Sequence, residues 1–189
     1  MLTSIELCTG AGGQALGLEQ AGFDHVAVVE LDKDCCATLR HNRPHWNTIQ
    51  GDIRTFDASP YIGTDLVAAG LPCPPFSVAG KQLGEADERN LFPAAFRIIE
   101  QVRPRAVMIE NVRGILDAAF VDYREYISTE LGNLGFNPFW KLLNSSDFGV
   151  PQLRPRVVIV AIAKEFSNIF QWPSTSVEPS LTVGETLYD

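Results

Sequence analysis

The segment from Ile5 to Gly22 constrains this chain more than any other. Ile5-Glu6-Leu7-Cys8 reads as a short buried strand and runs straight into Thr9-Gly10-Ala11-Gly12-Gly13. A helical pattern follows to Gly22, with Ala15, Leu18 and Ala21 on one face and Gly22 as its stop. A strand that turns through glycines into a helix lets the backbone approach a ligand closely at the strand's carboxyl end.

Strand and helix patterns then continue to alternate, with no internal repeat. His25 to Val29 predicts a second strand closed by Glu30, and Asp32 predicts the N-cap of a helix to about Asn42, with Pro44 beyond it. Thr48-Ile49 gives a third strand ending near Gly51-Asp52, and Leu66 to Ala69 a fourth. From the fourth strand leaves the loop Gly70-Leu71-Pro72-Cys73-Pro74-Pro75-Phe76-Ser77. Asn90 to Val102 predicts a helix with Phe92, Phe96 and Ile99 inward. Ala106 to Ile109 gives a fifth strand ending at Glu110-Asn111, and Ala118 to Leu134 a helix stopped by Gly135. Phe139 to Leu143 and Val157 to Ile162 flank a loop with Gly149, Pro151 and Pro155, which predicts an antiparallel edge pair. Strands alternating with helices imply an α/β fold, a mostly parallel sheet with helices on both faces. Residues 1–164 form the expected cofactor-binding and catalytic domain. Residues 165–189, rich in Ser, Thr and Pro, form a linker-like tail.

In such sheets ligands sit at the carboxyl ends of strands. Gly10 to Gly13, Glu30, Asp52, Cys73 and Glu110 each follow a different predicted strand. Glu30, twenty residues after Gly10, is placed to accept hydrogen bonds from both ribose hydroxyls of an adenosine cofactor. No Lys-Ser/Thr follows the glycines, which argues against a phosphate-gripping loop, and a phosphate-free cofactor such as S-adenosylmethionine suits the acids better than a dinucleotide.

Cys73 stands apart from Cys8 and Cys36, which read as inert packing thiols. Three flanking prolines remove backbone donors and stiffen its turn, so the thiol is expected to face the cleft. A nucleophilic thiol needs nearby positive charge, which Arg154 and Arg156 can supply if their loop folds over the site. Two residues apart in an extended segment, both guanidiniums point the same way. Glu110 can hold a proton and donate it at neutral pH. Asn111 either meets substrate or ties the strand end to the Cys73 loop. No metal ligand is assigned.

Composition limits the partners. The formal charge of −8 leaves basic residues thinly spread, whereas a polyanion binder usually carries a basic patch. Backbone grip on nucleic acid would then come from another segment or a partner. No apolar run approaches the roughly 20 residues of a membrane span. Met1-Leu2-Thr3-Ser4 lacks the basic opening of a signal peptide, so a cytoplasmic setting is expected.

Taken in order, ELCTGAGG, Glu30, Gly51-Asp52-Ile53, GLPCPPFS, ENVRG and DFGVPQLRPR resemble the DNA (cytosine-5)-methyltransferase family, over residues 4 to about 162. The resemblance implies a Rossmann-like S-adenosylmethionine-dependent methyltransferase fold. It implies that Cys73 adds to C6 of a flipped cytosine and that Glu110 protonates N3. Arg156 would lie near the cytosine and the thiol, with Arg154 supporting it. Ser77 and Asn111 would lie near the nucleotide. The cofactor would be held by Cys8, Gly10, Gly12, Gly13, Glu30, Leu31, Asp52, Ile53 and Pro72. Two positions depart from the pattern: Cys8 stands where many members carry a Phe on the adenine, and Pro74 replaces a common Gln. The family pattern continues into target-recognition and closing segments, which implies a second half or a second chain. Two further activities stay open: a non-catalytic cofactor-binding or regulatory subunit, and a tRNA cytosine-5 methyltransferase.

Overall fold

The computed structural model describes residues 1–72, 90–175 and 181–188. Twelve regular elements follow one another: β1 (Leu2–Leu7), α1 (Gly13–Gln20), β2 (Phe23–Glu30), α2 (Lys33–Asn42), β3 (Thr48–Gln50), β4 (Leu66–Gly70), α3 (Phe92–Val102), β5 (Ala106–Val112), α4 (Val121–Asn133), β6 (Phe136–Asn144), β7 (Pro155–Ala163) and α5 (Val183–Leu187). The seven strands form one sheet in the order β3-β2-β1-β4-β5-β7-β6. β1 to β5 run parallel. β7 is antiparallel to both β5 and β6, so the expected edge hairpin is present with its second strand inserted inward.

Local chemistry explains the element ends. Asp32 caps α2, its Oδ1 accepting from the N–H groups of Asp34 (2.9 Å) and Cys35 (2.8 Å). Gly22 takes φ 91° just past α1, and its N–H donates to Glu19 O at 3.0 Å. Ala21, expected on the buried face of α1, is instead exposed where that helix ends. Phe92, Phe96, Ile99 and Val102 bury one side of α3 against the sheet, joined by Tyr123 and Ile127 of α4. β5 is longer than the sequence suggested. It carries Glu110 to Val112 inside the ladder, because β7 pairs with it as far as Val112↔Arg156.

After β7, a 3-10 segment (Lys164–Ile169) returns along β6. The Asn137 amide donates to Ser167 Oγ at 2.6 Å, and Phe139 packs on Phe170 at 5.0 Å. Among the described residues no helix is long and apolar enough to cross a membrane.

The topology fixes where a ligand can sit. From β1 the chain steps outward to β2 and β3, and from β4 it steps the other way to β5. The two flanking helices at that switch point diverge and leave a crevice outside the carboxyl ends of β1 and β4.

Candidate active site

The crevice holds a cavity of about 460 Å³, bounded by Glu6, Cys8, Gln14, Gly70, Glu110 and Arg154 among others. A larger hollow of about 640 Å³ opens at the other end of the strands, around Leu2, Phe23 and Phe166, away from these groups.

The glycine turn is shaped by its backbone. Cys8 (φ 53°), Gly10 (φ 58°) and Gly12 (φ 92°) all occupy the left-handed region. At Gly12 a side chain is doubly excluded, because a Cβ would lie 2.7 Å from Leu39 Cδ2 and 3.2 Å from Trp46 Cζ3. The turn is locked onto β2 by Glu30. Its Oε2 accepts from the Gly10 N–H at 2.7 Å and its Oε1 from the Asp32 N–H at 2.9 Å. Each oxygen keeps a lone pair for a ligand hydroxyl. Leu31 is 60% exposed beside it, an apolar surface of the size of a base edge.

At the end of β3, Asp52 is held by its neighbour. Arg54 Nη2 sits 2.8 Å from Oδ2, and the Arg54 N–H donates to Oδ1 at 2.9 Å. These hydrogen bonds hold the Asp52 carboxyl below its ordinary range. The Ile53 side chain is buried in the core, and its carbonyl belongs to the loop after β3. Arg97 reaches over from α3 to that loop and donates to Ile53 O at 2.8 Å and to Phe56 O at 3.0 Å. Gln101 completes the clamp, its Oε1 accepting from Arg97 (3.0 Å) and from the Ala58 N–H (3.3 Å).

On the other flank Glu110 and Arg156 form an ion pair of 2.7 Å between Oε1 and Nε. Arg154 lines the same cavity, so both guanidiniums reach the Glu110 side of the crevice. Arg156 lies inside β7, not before a strand as the sequence suggested. Asn111 is fully buried, and its Oδ1 accepts from the Val112 N–H at 2.9 Å. Side chains alternate along a strand, so Asn111 faces away from Glu110 and does not line the cavity. Pro72 is exposed at the edge of the described chain. Cys73 and Ser77 lie outside the described residues; Cys73 follows the end of β4 by three positions.

Cys8 does line the cavity, in surroundings that disfavour its thiolate. Burial first, then the negative charges of Glu30 and Asp52, push its thiol up to about 12. Glu6, Gln14 and Arg97 were not singled out by the motifs. The available signal for Glu6 was an acid between Ile5 and Leu7 in a strand of a parallel sheet, where both faces are covered.

The profile of the C-5 cytosine-specific DNA methylase family matches residues 2–189. The chain belongs to this family. The type II methyltransferase M.NgoMIV of Neisseria gonorrhoeae is 56% identical over 187 residues, covering 99% of this chain and 60% of that protein. M.NaeI of Lentzea aerocolonigenes is 49% identical, covering 100% of this chain and 46% of its own length. The chain thus spans about half the length of these relatives. Against M.AquIA of Picosynechococcus, at 35% identity, it covers 77% of the relative and 93% of itself. Among solved structures, the DNMT2 of Spodoptera frugiperda superposes with a TM-score of 0.71 at 24% identity, over 96% of this chain and 55% of that one. That likeness shows the fold, the Rossmann-like architecture of this family.

Proposed function

We propose that this chain is the cofactor-binding and catalytic half of a DNA cytosine-C5 methyltransferase of a restriction-modification system, with S-adenosylmethionine as cofactor. The observation that carries the reading is the meeting of the Glu110–Arg156 pair with the glycine turn and the end of β4 at one crevice. The crevice residues suit this cofactor. Glu30 is oriented for a ribose diol, Leu31 offers apolar surface to the adenine, and Asp52 offers an acceptor to its amine. The cofactor supplies an electrophilic methyl group on a sulfonium.

C5 of cytosine is a poor nucleophile, and the chemistry of the chain is to change that. The target base leaves the duplex, because its ring atoms are unreachable inside the stack. Cys73, as thiolate, forms a bond to C6 while Glu110 gives a proton to N3. The ring becomes an enamine with its electron pair at C5, and a bound cofactor would supply the methyl group there, its sulfonium leaving as a neutral thioether. Water then takes the C5 proton, the C5–C6 double bond re-forms as Cys73 leaves as thiolate, and N3 returns its proton to Glu110. Arg156 takes one oxygen of Glu110 and leaves Oε2 for the base edge. Arg154 brings a second positive charge to the same rim. In this reading Asn111 shapes the strand end, and Ser77 lies near the flipped nucleotide.

The remaining assignments belong to the same reading. Residues 1–164 are the catalytic domain and 165–189 lead toward a target-recognition segment, supplied by further sequence or by a second chain. The protein works in the cytoplasm with reduced thiols. DNA carrying 5-fluorocytosine tests the mechanism, because fluorine at C5 cannot leave as a proton. With cofactor and the completing segment present, a covalent adduct forms and is lost in Cys73→Ser. Absence of an adduct in the complete system, or one that survives that substitution, overturns the assignment.

A further inference from the structure

Trp46, in the loop after α2, reaches back to the glycine turn. It is buried with Ala15 of α1, Val28 of β2 and Leu39 of α2 in a small core of its own. Its ring edge lies against Gly12: a Cβ on that glycine would stand 3.2 Å from Cζ3 and 3.7 Å from Cη2. The backbone fixes the residue, its N–H donating to Arg43 O at 3.0 Å and its O accepting from the Thr48 N–H at 2.8 Å. The indole Nε1–H donates to Glu19 Oε1 at 3.0 Å. Glu19 lies in the last turn of α1, the helix that Gly12 caps at its other end.

Glu19 gathers the rest of that loop as well. His45 Nε2 lies 2.9 Å from its Oε1, and Arg43 Nε donates to its Oε2 at 3.1 Å. Hydrogen bonds from His45, then from Trp46, pull the Glu19 carboxyl down to about 2, so it remains an acceptor at neutral pH. Three side chains of one short loop thus converge on one carboxylate. Two further groups seat the ring. The Arg43 guanidinium carbon lies 5.8 Å from the indole centroid, and His25 meets it edge-on at 4.8 Å. His25 is itself fixed by Ser4 Oγ and Ala15 O, both at 2.8 Å.

We propose that Glu19 is a positioning residue for the cofactor loop: by holding Trp46 it seats the indole against Gly12 and fixes the Gly10–Gly13 turn in the shape that admits the cofactor. This rests on the cofactor named under Proposed function and adds a support made by residues outside the crevice. Thr9 and Gly13 bound the crevice, whereas Gly12 and Trp46 bound a separate hollow of about 140 Å³. Glu30 therefore holds the turn at Gly10 and Trp46 holds it at Gly12, from different elements. Gly12 depends on such a hold. It joins the turn to α1, its N–H donating to Thr9 O at 3.1 Å and its O accepting from the Leu16 N–H at 2.8 Å, at φ 92° in a residue free to take other conformations. An indole N–H without its acceptor would be buried unpaired, so the ring would turn toward water and away from Gly12. The freed turn must then be ordered on binding, which lowers affinity.

Calorimetric titration with S-adenosylhomocysteine and with 5′-methylthioadenosine, which lacks the amino-acid end, tests this, with urea midpoints showing that each variant is folded. In Glu19→Ala both affinities fall about tenfold, because Gly10 of the same turn is bonded to Glu30, the ribose acceptor of that reading. Glu19→Gln keeps an amide oxygen for the indole and loses only solvent-exposed ion pairs, so it binds within about threefold of the parent. Trp46→Phe has no N–H and is too short to reach Gly12, and it loses as much as Glu19→Ala. The double variant loses no more than either single one, because both break the same link. If Trp46→Phe does not fold, Glu19→Ala against Glu19→Gln decides. A folded Glu19→Ala that binds as the parent does, a Glu19→Gln as weak as Glu19→Ala, or losses that add in the double variant overturn the positioning role and leave the cofactor assignment standing. A parent that binds neither ligand overturns the cofactor assignment and the positioning role with it.

Discussion

Glu110 and Arg156 meet diagonally across the β5–β7 ladder, with 2.7 Å between Oε1 and Nε, although register sets Glu110 opposite Val158 and Arg156 opposite Val112. Residues two apart on neighbouring strands share a face and lie within reach of long side chains. The antiparallel insertion of β7 thus brings an arginine from the far end of the sequence to the acid that closes the crevice.

That pair predicts a separation of chemistry from cofactor binding. Glu110→Gln keeps the shape but has no proton to give, and it lowers single-turnover methyl transfer by about 10²–10⁴-fold. Arg156→Lys loses the planar fork and misplaces the carboxylate, with an intermediate loss. Both variants keep S-adenosylhomocysteine affinity. Quenched-flow methylation of duplex DNA, with the completing segment supplied, reads the rates; full activity in Glu110→Gln removes this acid from the mechanism.

Gly12 and Gly13 are adjacent but should behave oppositely. Gly12→Ala forces φ 92° on a residue with a side chain and drives that Cβ into Leu39 and Trp46. The expected cost is about 3 kcal/mol in urea unfolding. Gly13→Ala meets nothing within 4 Å and sits at the start of α1. It is neutral or stabilising by up to about 1 kcal/mol. Equal effects would contradict the close contact at Gly12.

Arg97 touches no part of the crevice, yet it holds the loop after β3 through Ile53 O and Phe56 O. Arg97→Met leaves those carbonyls without a donor, and cofactor affinity drops about tenfold. In the proposed reading that loop serves the adenine end, so 5′-methylthioadenosine weakens along with S-adenosylhomocysteine. Arg97→Lys restores part of the loss. A purely structural role would lower the unfolding midpoint and leave both affinities intact.

Stability without ligand should fall as pH rises from about 4.5 to 8. Glu6 ordinarily titrates near 4.5 and in the fold near 8, because burial disfavours its charged form. The native state therefore holds a proton that the unfolded chain has lost, so stability is full below 4.5 and declines by about 1.4 kcal/mol per pH unit up to 8. Glu6→Gln removes this slope. Urea midpoints at pH 5, 6.5 and 8 measure it, and parallel slopes in the two proteins would refute it.

Much of the crevice was legible before any coordinates. The glycine turn, Glu30, Asp52 and Glu110 announce themselves because a parallel sheet collects its functional residues just past strand ends, and strand ends show as a break in apolar runs. Asp32 was legible as a cap for a local reason: its bonds run only two and three residues ahead. The end of β5 was misplaced because Glu110 and Asn111 look like a loop, and only pairing with β7, some 46 residues later, holds them in the ladder. Which way Asn111 points followed from that same pairing.

The sequence by itself determined the alternation of strands and helices, the family motifs and the set of acids at strand ends, because these depend on periodicity, on caps and on spacing along one chain. The tertiary structure alone decided which groups share the cavity. It set Arg156 on Glu110, turned Asn111 inward, carried Arg97 to the loop after β3, and left Glu6 Oε2 and Gln14 Nε2 beside one hollow without partners. Those facts arise from strand order and burial, where water is excluded and an unpaired polar atom acquires a cost that no local pattern records.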